Sequence, residues 1–302
     1  MKLQTEVDIR RSHFEIGYGD NIFMLGSCFT DNIGKKLKDY GFNVCVNPFG
    51  TLYNPASVCS SAQSLKSGTL FTPEDVVKMG SGSDMYCSFF HHTLAAAPSP
   101  DEFLEKANAR LEEASTFWKK SDVVIITLGT SWCYRHIERD LIVSNCLKRP
   151  AAEFERVFMD MNRTYLLLKS MLDDNPEKKF VFTVSPIRHL KDTAHGNQLS
   201  KSSLLLAIDR VIEQRSDWTA VANKMEVSAD ANKAEYFPSY EIMMDELRDY
   251  RFYAEDMVHP SGQAVQYIFD RFIDWALPDG ERELFNTRRK EFLRSQHRSL
   301  TL

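Results

Sequence analysis

Short apolar runs and four-residue apolar repeats alternate along the chain. Residues 21–25 (NIFML) form an apolar run that stops at Gly26, the length and ending of a buried strand. Directly after it, Phe29, Ile33 and Leu37 recur at four-residue spacing, which predicts a helix from near Ser27 to a stop at Gly41. Cys45 and Val46 belong to a second strand. Residues 122–128 (DVVIITL) and 179–185 (KFVFTVS) are further continuous apolar runs that end at Gly129 and Pro186. Residues 234–238 (AEYFP) read as a last strand. Helices are expected at 99–118, where Pro100 suits an early helical position, at 151–172, from about Lys201 after a polar connection, at 240–250 and at 261–275. Continuous apolar strands separated by helices imply an α/β fold whose parallel sheet is covered on both faces.

Two stretches do not fit this alternation. Residues 56–100 and 131–150 read as insertions, and the charged segment 281–302 reads as peripheral. No linker-like composition separates them, so 1–302 is expected to form a single elaborated domain. A chain of 302 residues can bury roughly 75% of its unfolded surface, and 43% hydrophobic with 26% charged residues is globular composition.

Charge narrows the partners. Lys and Arg number 37 against 42 Asp and Glu, a net charge of −5, which argues against nonspecific nucleic-acid binding. No stretch reaches the roughly 18 apolar residues of a membrane span. The start, MKLQTEVDIRRSHFEI, lacks the apolar core of a signal peptide, so a cytoplasmic location is expected. The six cysteines form no CxxC pair and read as mostly buried thiols in a reducing compartment. No His, Cys or Asp grouping has metal-ligand spacing, and no glycine-rich nucleotide loop follows the first strand, so neither a metal nor a cofactor is expected.

Two places carry candidate chemistry. Ser27 follows the first strand and starts a helix. Ligands of open parallel sheets sit beyond the carboxyl ends of strands, and helix-start amides stabilise developing negative charge. Two readings fit: a helix cap and a nucleophile. Adjacent Cys28 is either a core thiol or an alternative nucleophile with a lowered pKa. Far along the chain, Asp256 and His259 lie three residues apart in a loop before a helix. Such a carboxylate can orient an imidazole that accepts the Ser27 proton; it can equally brace a helix start.

The motif MLGSCFTDNIG, residues 24–34, resembles the signature of the GSCFA family of bacterial proteins, with Thr30 where that name has Ala. The resemblance continues through NPFGTLYNP, TLGTSW, SPIRH, YFPSYEI and DMVHPS, in order, across roughly residues 5–275. The family in turn resembles the SGNH, or GDSL-like, hydrolases: three-layer α/β/α esterases, lipases and acyltransferases. That resemblance implies Ser27 as nucleophile and Asp256 and His259 as its partners. It implies Gly50 as an oxyanion donor. The superfamily's Asn after a central strand has no match, because the chain reads Gly129-Thr130-Ser131 there; Thr130 is a substitute, with Asn47 and Asn54 as alternatives. Trp132, Arg188 and His189 follow strand ends and are candidates for binding substrate.

The expected function is therefore a serine-dependent ester hydrolase, with a carbohydrate O-acetyl ester as the substrate. A glycan O-acyltransferase of the same chemistry is the first alternative. A non-enzymatic carbohydrate-binding or scaffold protein on a degenerate hydrolase fold is the second, and the missing Asn is what favours it.

Overall fold

The computed structural model describes residues 5–222 and 234–299, with side chains described to residue 213 in the first segment and to residue 296 in the second. The main elements run β1 (Asn21–Gly26), α1 (Cys28–Asp39), β2 (Asn43–Val46), α2 (Pro55–Ser67), β3 (Val77–Lys78), β4 (Tyr86–Cys87), α3 (Pro100–Lys120), β5 (Val123–Leu128), β6 (Trp132–His136), β7 (Leu141–Val143), β8 (Phe154–Phe158), α4 (Met161–Asp173), β9 (Lys179–Val184), α5 (Thr193–Ala222), β10 (Ala234–Tyr236), α6 (Ser239–Glu241), α7 (Gly262–Ala276) and α8 (Arg282–Ser299).

Five strands form one parallel sheet in the order β10-β9-β5-β1-β2. Both faces are apolar, which is why these strands read as continuous hydrophobic runs. Ile22, Met24, Ile125 and Val181 face α1 and α7, where Phe29, Ile33, Ile268 and Phe269 are buried. Phe23, Leu25, Ile126 and Phe182 point the other way, onto Val58, Trp118, Leu168 and Leu204 of α2, α3, α4 and α5. The molecule is thus a three-layer α/β/α sandwich, the architecture expected. Among the described residues no helix is long and apolar enough to cross a membrane.

The two stretches read as insertions divide differently. Residues 55–67 are α2, whose Val58, Cys59, Ala62 and Leu65 pack in the main core, so this part of 56–100 belongs to the sandwich. The remainder forms the β3–β4 hairpin, and β6, β7 and β8 form a three-stranded antiparallel sheet. These pieces share a satellite core of Val77, Cys87, Phe89, Phe103, Val143 and Leu147.

Three expected elements are corrected. The helix at 151–172 is a single 3-10 turn followed by β8, and α4 starts only at Met161. Pairing with β6 claims residues 154–158, and Asp160 then caps α4 through Oδ1, which accepts from Asn162 N at 2.8 Å and Arg163 N at 3.0 Å. The connection expected up to residue 200 is already helical from Thr193. The helix at 240–250 is α6 continued by a π-helical stretch, Ile242–Leu247, which stops at Arg248 in a left-handed conformation. The terminal α8 is charged, yet Phe285 is buried in the core beside α7.

Candidate active site

β1 ends in a turn that only glycine can make. Gly26 has φ +146°, and a Cβ there would lie 2.2 Å from the Thr127 carbonyl oxygen of β5. The turn delivers Ser27 to the carboxyl end of the sheet as the N-cap of α1. Its Oγ accepts from Phe29 N at 3.3 Å, and its own N–H donates to Thr127 O at 3.2 Å. The cap leaves the hydroxyl proton uninvolved, so capping and nucleophilic attack are compatible roles for this side chain.

The opposite side of the site is the loop before α7. Asp256 Oδ1 accepts from Val258 N and His259 N, each at 2.9 Å, and Oδ2 meets His259 Nδ1 at 2.6 Å. The two backbone amides and the imidazole hold Asp256 well down, at about 2. An ionised carboxylate is acceptor-only, so Nδ1 donates to it, and in the neutral ring Nε2 then presents the lone pair. The loop is pinned by Ala254 N donating to His259 O at 2.7 Å and by Arg188 N donating to Val258 O at 3.1 Å. Met257 occupies a left-handed conformation, φ +57°, to make the tight bend.

Ser27 and His259 wall the same cleft, of about 670 Å³, a volume suited to a small molecule or one or two sugar units. Asn54, Thr130, Trp132, Arg188 and His189 line it too. Asn47 and Gly50 do not. Asn47 Oδ1 accepts from Gly26 N at 2.8 Å and its Nδ2 donates to Asp31 Oδ1 at 2.7 Å, so it braces the Ser27 turn. Gly50 N donates to Asn47 O at 2.9 Å, and its φ of +83° lets the loop pass against His92, whose Cβ an added side chain would meet at 2.4 Å.

Thr130 is engaged as well. Its N–H donates to Tyr53 O at 2.9 Å, and Oγ1 lies 3.1 Å from both Ser200 Oγ and Trp132 N. Asn54 caps α2, with Oδ1 accepting from Ser57 N and Nδ2 donating to Ser57 Oγ at 3.0 Å; a second Nδ2 proton remains. Trp132 stacks beneath the Arg156 guanidinium at 4.3 Å and packs on Phe158. His189 sits edge-on to Tyr53; burial first, and the Lys201 charge second, push it down to about 4, so the ring is neutral near pH 7. Burial raises the Cys28 thiol, which keeps it protonated and a poor nucleophile.

Two residues that line the cleft, Tyr53 and Arg156, and the buried Lys201 beside it escaped the sequence reading. Lys201 Nζ donates to Gly129 O at 2.6 Å and Ser185 O at 2.8 Å, tying the ends of β5 and β9 beneath the cleft floor. It is fully buried, and burial pushes its ammonium down to about 7. A signal existed: Lys201, Leu204 and Ile208 share one helix face, so a cation falls on an apolar stripe.

A solved structure described as a platelet activating factor from Streptococcus pneumonia is similar to this chain at 12% identity, with 84% of each chain covered and a TM-score of 0.38. No curated protein matches the chain. The family model of the GSCFA family matches residues 21–272, from the first strand of the sheet into α7. The chain belongs to the GSCFA family.

Proposed function

We propose that the chain is a serine ester hydrolase whose nucleophile is Ser27, whose general base is His259 and whose orienting carboxylate is Asp256. One observation carries the reading: Ser27 and the carboxylate-locked His259, 232 positions apart in sequence, wall a single cleft at the carboxyl edge of the sheet. In this reading His259 Nε2 takes the Ser27 proton as Oγ attacks the ester carbonyl. Collapse of the tetrahedral intermediate expels the alcohol, which receives that proton from His259. Water, deprotonated by the same nitrogen, then cleaves the acyl-enzyme to acid and free serine. The Cys28 amide at the start of α1 and the remaining Asn54 proton are the donors this reading assigns to the oxyanion. An O-acetyl group on a carbohydrate is the substrate proposed, supported by the polar and aromatic lining; a sugar hydroxyl in place of water would give an acyltransferase.

A binding module on a degenerate hydrolase fold is the second reading. The engagement of Asn47, Gly50 and Thr130 in internal hydrogen bonds favours it. A fluorophosphonate probe with peptide mapping separates the two. Labelling at Ser27, with acetylated-sugar hydrolysis that falls about 10⁴-fold or more in Ser27→Ala, is the expected result. Absence of labelling in folded protein would favour the binding module. Activity lost on alkylation of Cys28 but retained in Ser27→Ala would move the nucleophile to that thiol.

A further inference from the structure

We propose that the cleft takes an ester whose scaffold carries an anionic group, a carboxylate or a phosphate, and that Arg188 is the residue that recognises it. This rests on the hydrolase reading of the same cleft and names its substrate class.

The whole chain carries more carboxylates than cations, 42 against 37, yet the cleft wall reverses that balance. Arg156, Arg188 and Lys191 line it against one carboxylate, Asp192. Asp192 pairs with Arg156, whose guanidinium also lies over Trp132, so that cation is satisfied within the protein. Arg188 is different. Its guanidinium donates from Nη1 to the Met257 carbonyl at 3.1 Å and rests near the faces of Tyr253, at 5.4 Å, and Tyr250, at 5.8 Å. These contacts hold the group in place without neutralising it. One of five N–H donors is engaged, and among the described residues no carboxylate pairs with it.

A buried basic group lies behind the cleft wall, against Ser185. Lys201 is buried with two carbonyl oxygens as its hydrogen-bond acceptors and no carboxylate in contact. The pre-positioned planar fork on the wall favours an anion beside it, and a buried amine gains its charged form from an anion nearby. Arg188 N also donates to Val258 O, next to His259, so an anion held there lies on the same wall as the general base.

Arg188 has a competing role as a clamp on the Met257–Val258 bend, and the experiment separates the two. Three probes are compared: O-acetylated methyl glucoside, O-acetylated methyl glucuronide and O-acetylated glucose 6-phosphate. The expected result is a kcat/KM at least about 10-fold higher for one or both anionic probes, the size of a charge-assisted hydrogen bond. The advantage should lie in KM and shrink with added salt. An advantage confined to the uronate or to the phosphate identifies which anion the site takes. In Arg188→Met the anionic-to-neutral ratio should fall to about 1, and Arg188→Lys should restore part of it. Wild-type protein with no preference would overturn the proposal, as would equal losses on all three probes in Arg188→Met, the signature of a clamp. Calorimetry with Ser27→Ala and the unacetylated methyl glucuronide, glucose 6-phosphate and methyl glucoside tests recognition without turnover. Selective binding of an anion there alongside an unlabelled Ser27 in the wild type would sink only the hydrolase reading. Fluorophosphonate labelling at Ser27 with no anion selectivity would sink only the anion proposal.

Discussion

Asp256 is half exposed, yet three hydrogen-bond donors converge on its carboxylate, and that convergence governs both the ring it holds and the loop it shapes. Asp256→Asn keeps the size of the side chain but replaces an acceptor with an NH₂ group facing Nδ1. The ring proton would then shift to Nε2 and leave no base toward Ser27. Loss of roughly 10⁴-fold in kcat is expected, measured on an acetyl ester. The same carboxylate predicts a pH effect on stability. Its folded pKa is depressed, to about 2, so its stabilisation is complete above the unfolded value near 4 and is lost as pH falls toward 2. Melting temperatures of wild type and Asp256→Asn should converge across that window; parallel curves would refute the linkage.

The strand–turn–helix unit that presents Ser27 depends on a small number of positions. Gly26 accepts its conformation only for want of a Cβ, and Asn47 supplies the acceptor for its buried N–H. Gly26→Ala should destabilise the protein by about 1–3 kcal/mol or more in urea unfolding and displace Ser27. Asn47→Ala leaves Gly26 N and Asp31 without their partner, at a cost of about 1–3 kcal/mol, and should lower Ser27 labelling by the fluorophosphonate probe. Labelling unchanged in Asn47→Ala would show that the turn needs no brace. The same unit shows what local pattern conveys. Its apolar run, glycine stop and four-residue repeat encode strand, turn and helix directly. β8 shows the opposite case: residues 154–158 sit in a segment of helical pattern, and only pairing with β6, twenty or so positions earlier, makes them a strand.

The central sheet draws its strands from across the chain, and Lys201 ties two of them together at the site. Its folded pKa, about 7, lies below the unfolded value near 10.4, so the unfolded chain binds more protons between those values. Stability therefore gains a rising contribution as pH increases above 7. Wild type should gain on Lys201→Met between about pH 7 and 9, as read from the difference between their urea-unfolding free energies. A flat difference would mean that Lys201 does not titrate in the fold.

The parallel α/β class was legible because strands buried on both faces must be apolar throughout, and helices that cover them must repeat their apolar positions. As candidates, Ser27, Asp256 and His259 were legible in two local motifs, each with its own spacing. The donors were not, because an amide's availability depends on which carbonyl lies opposite, and no linear pattern records that. Asn47, Gly50 and Thr130 have donor chemistry in sequence and internal partners in space. Residue types and their order thus specified the elements and the candidate chemistry. The tertiary structure decided which groups meet, because hydrogen bonds and charges act over a few ångströms, and only the closed sheet brings residues 27, 188, 201 and 259 to one edge.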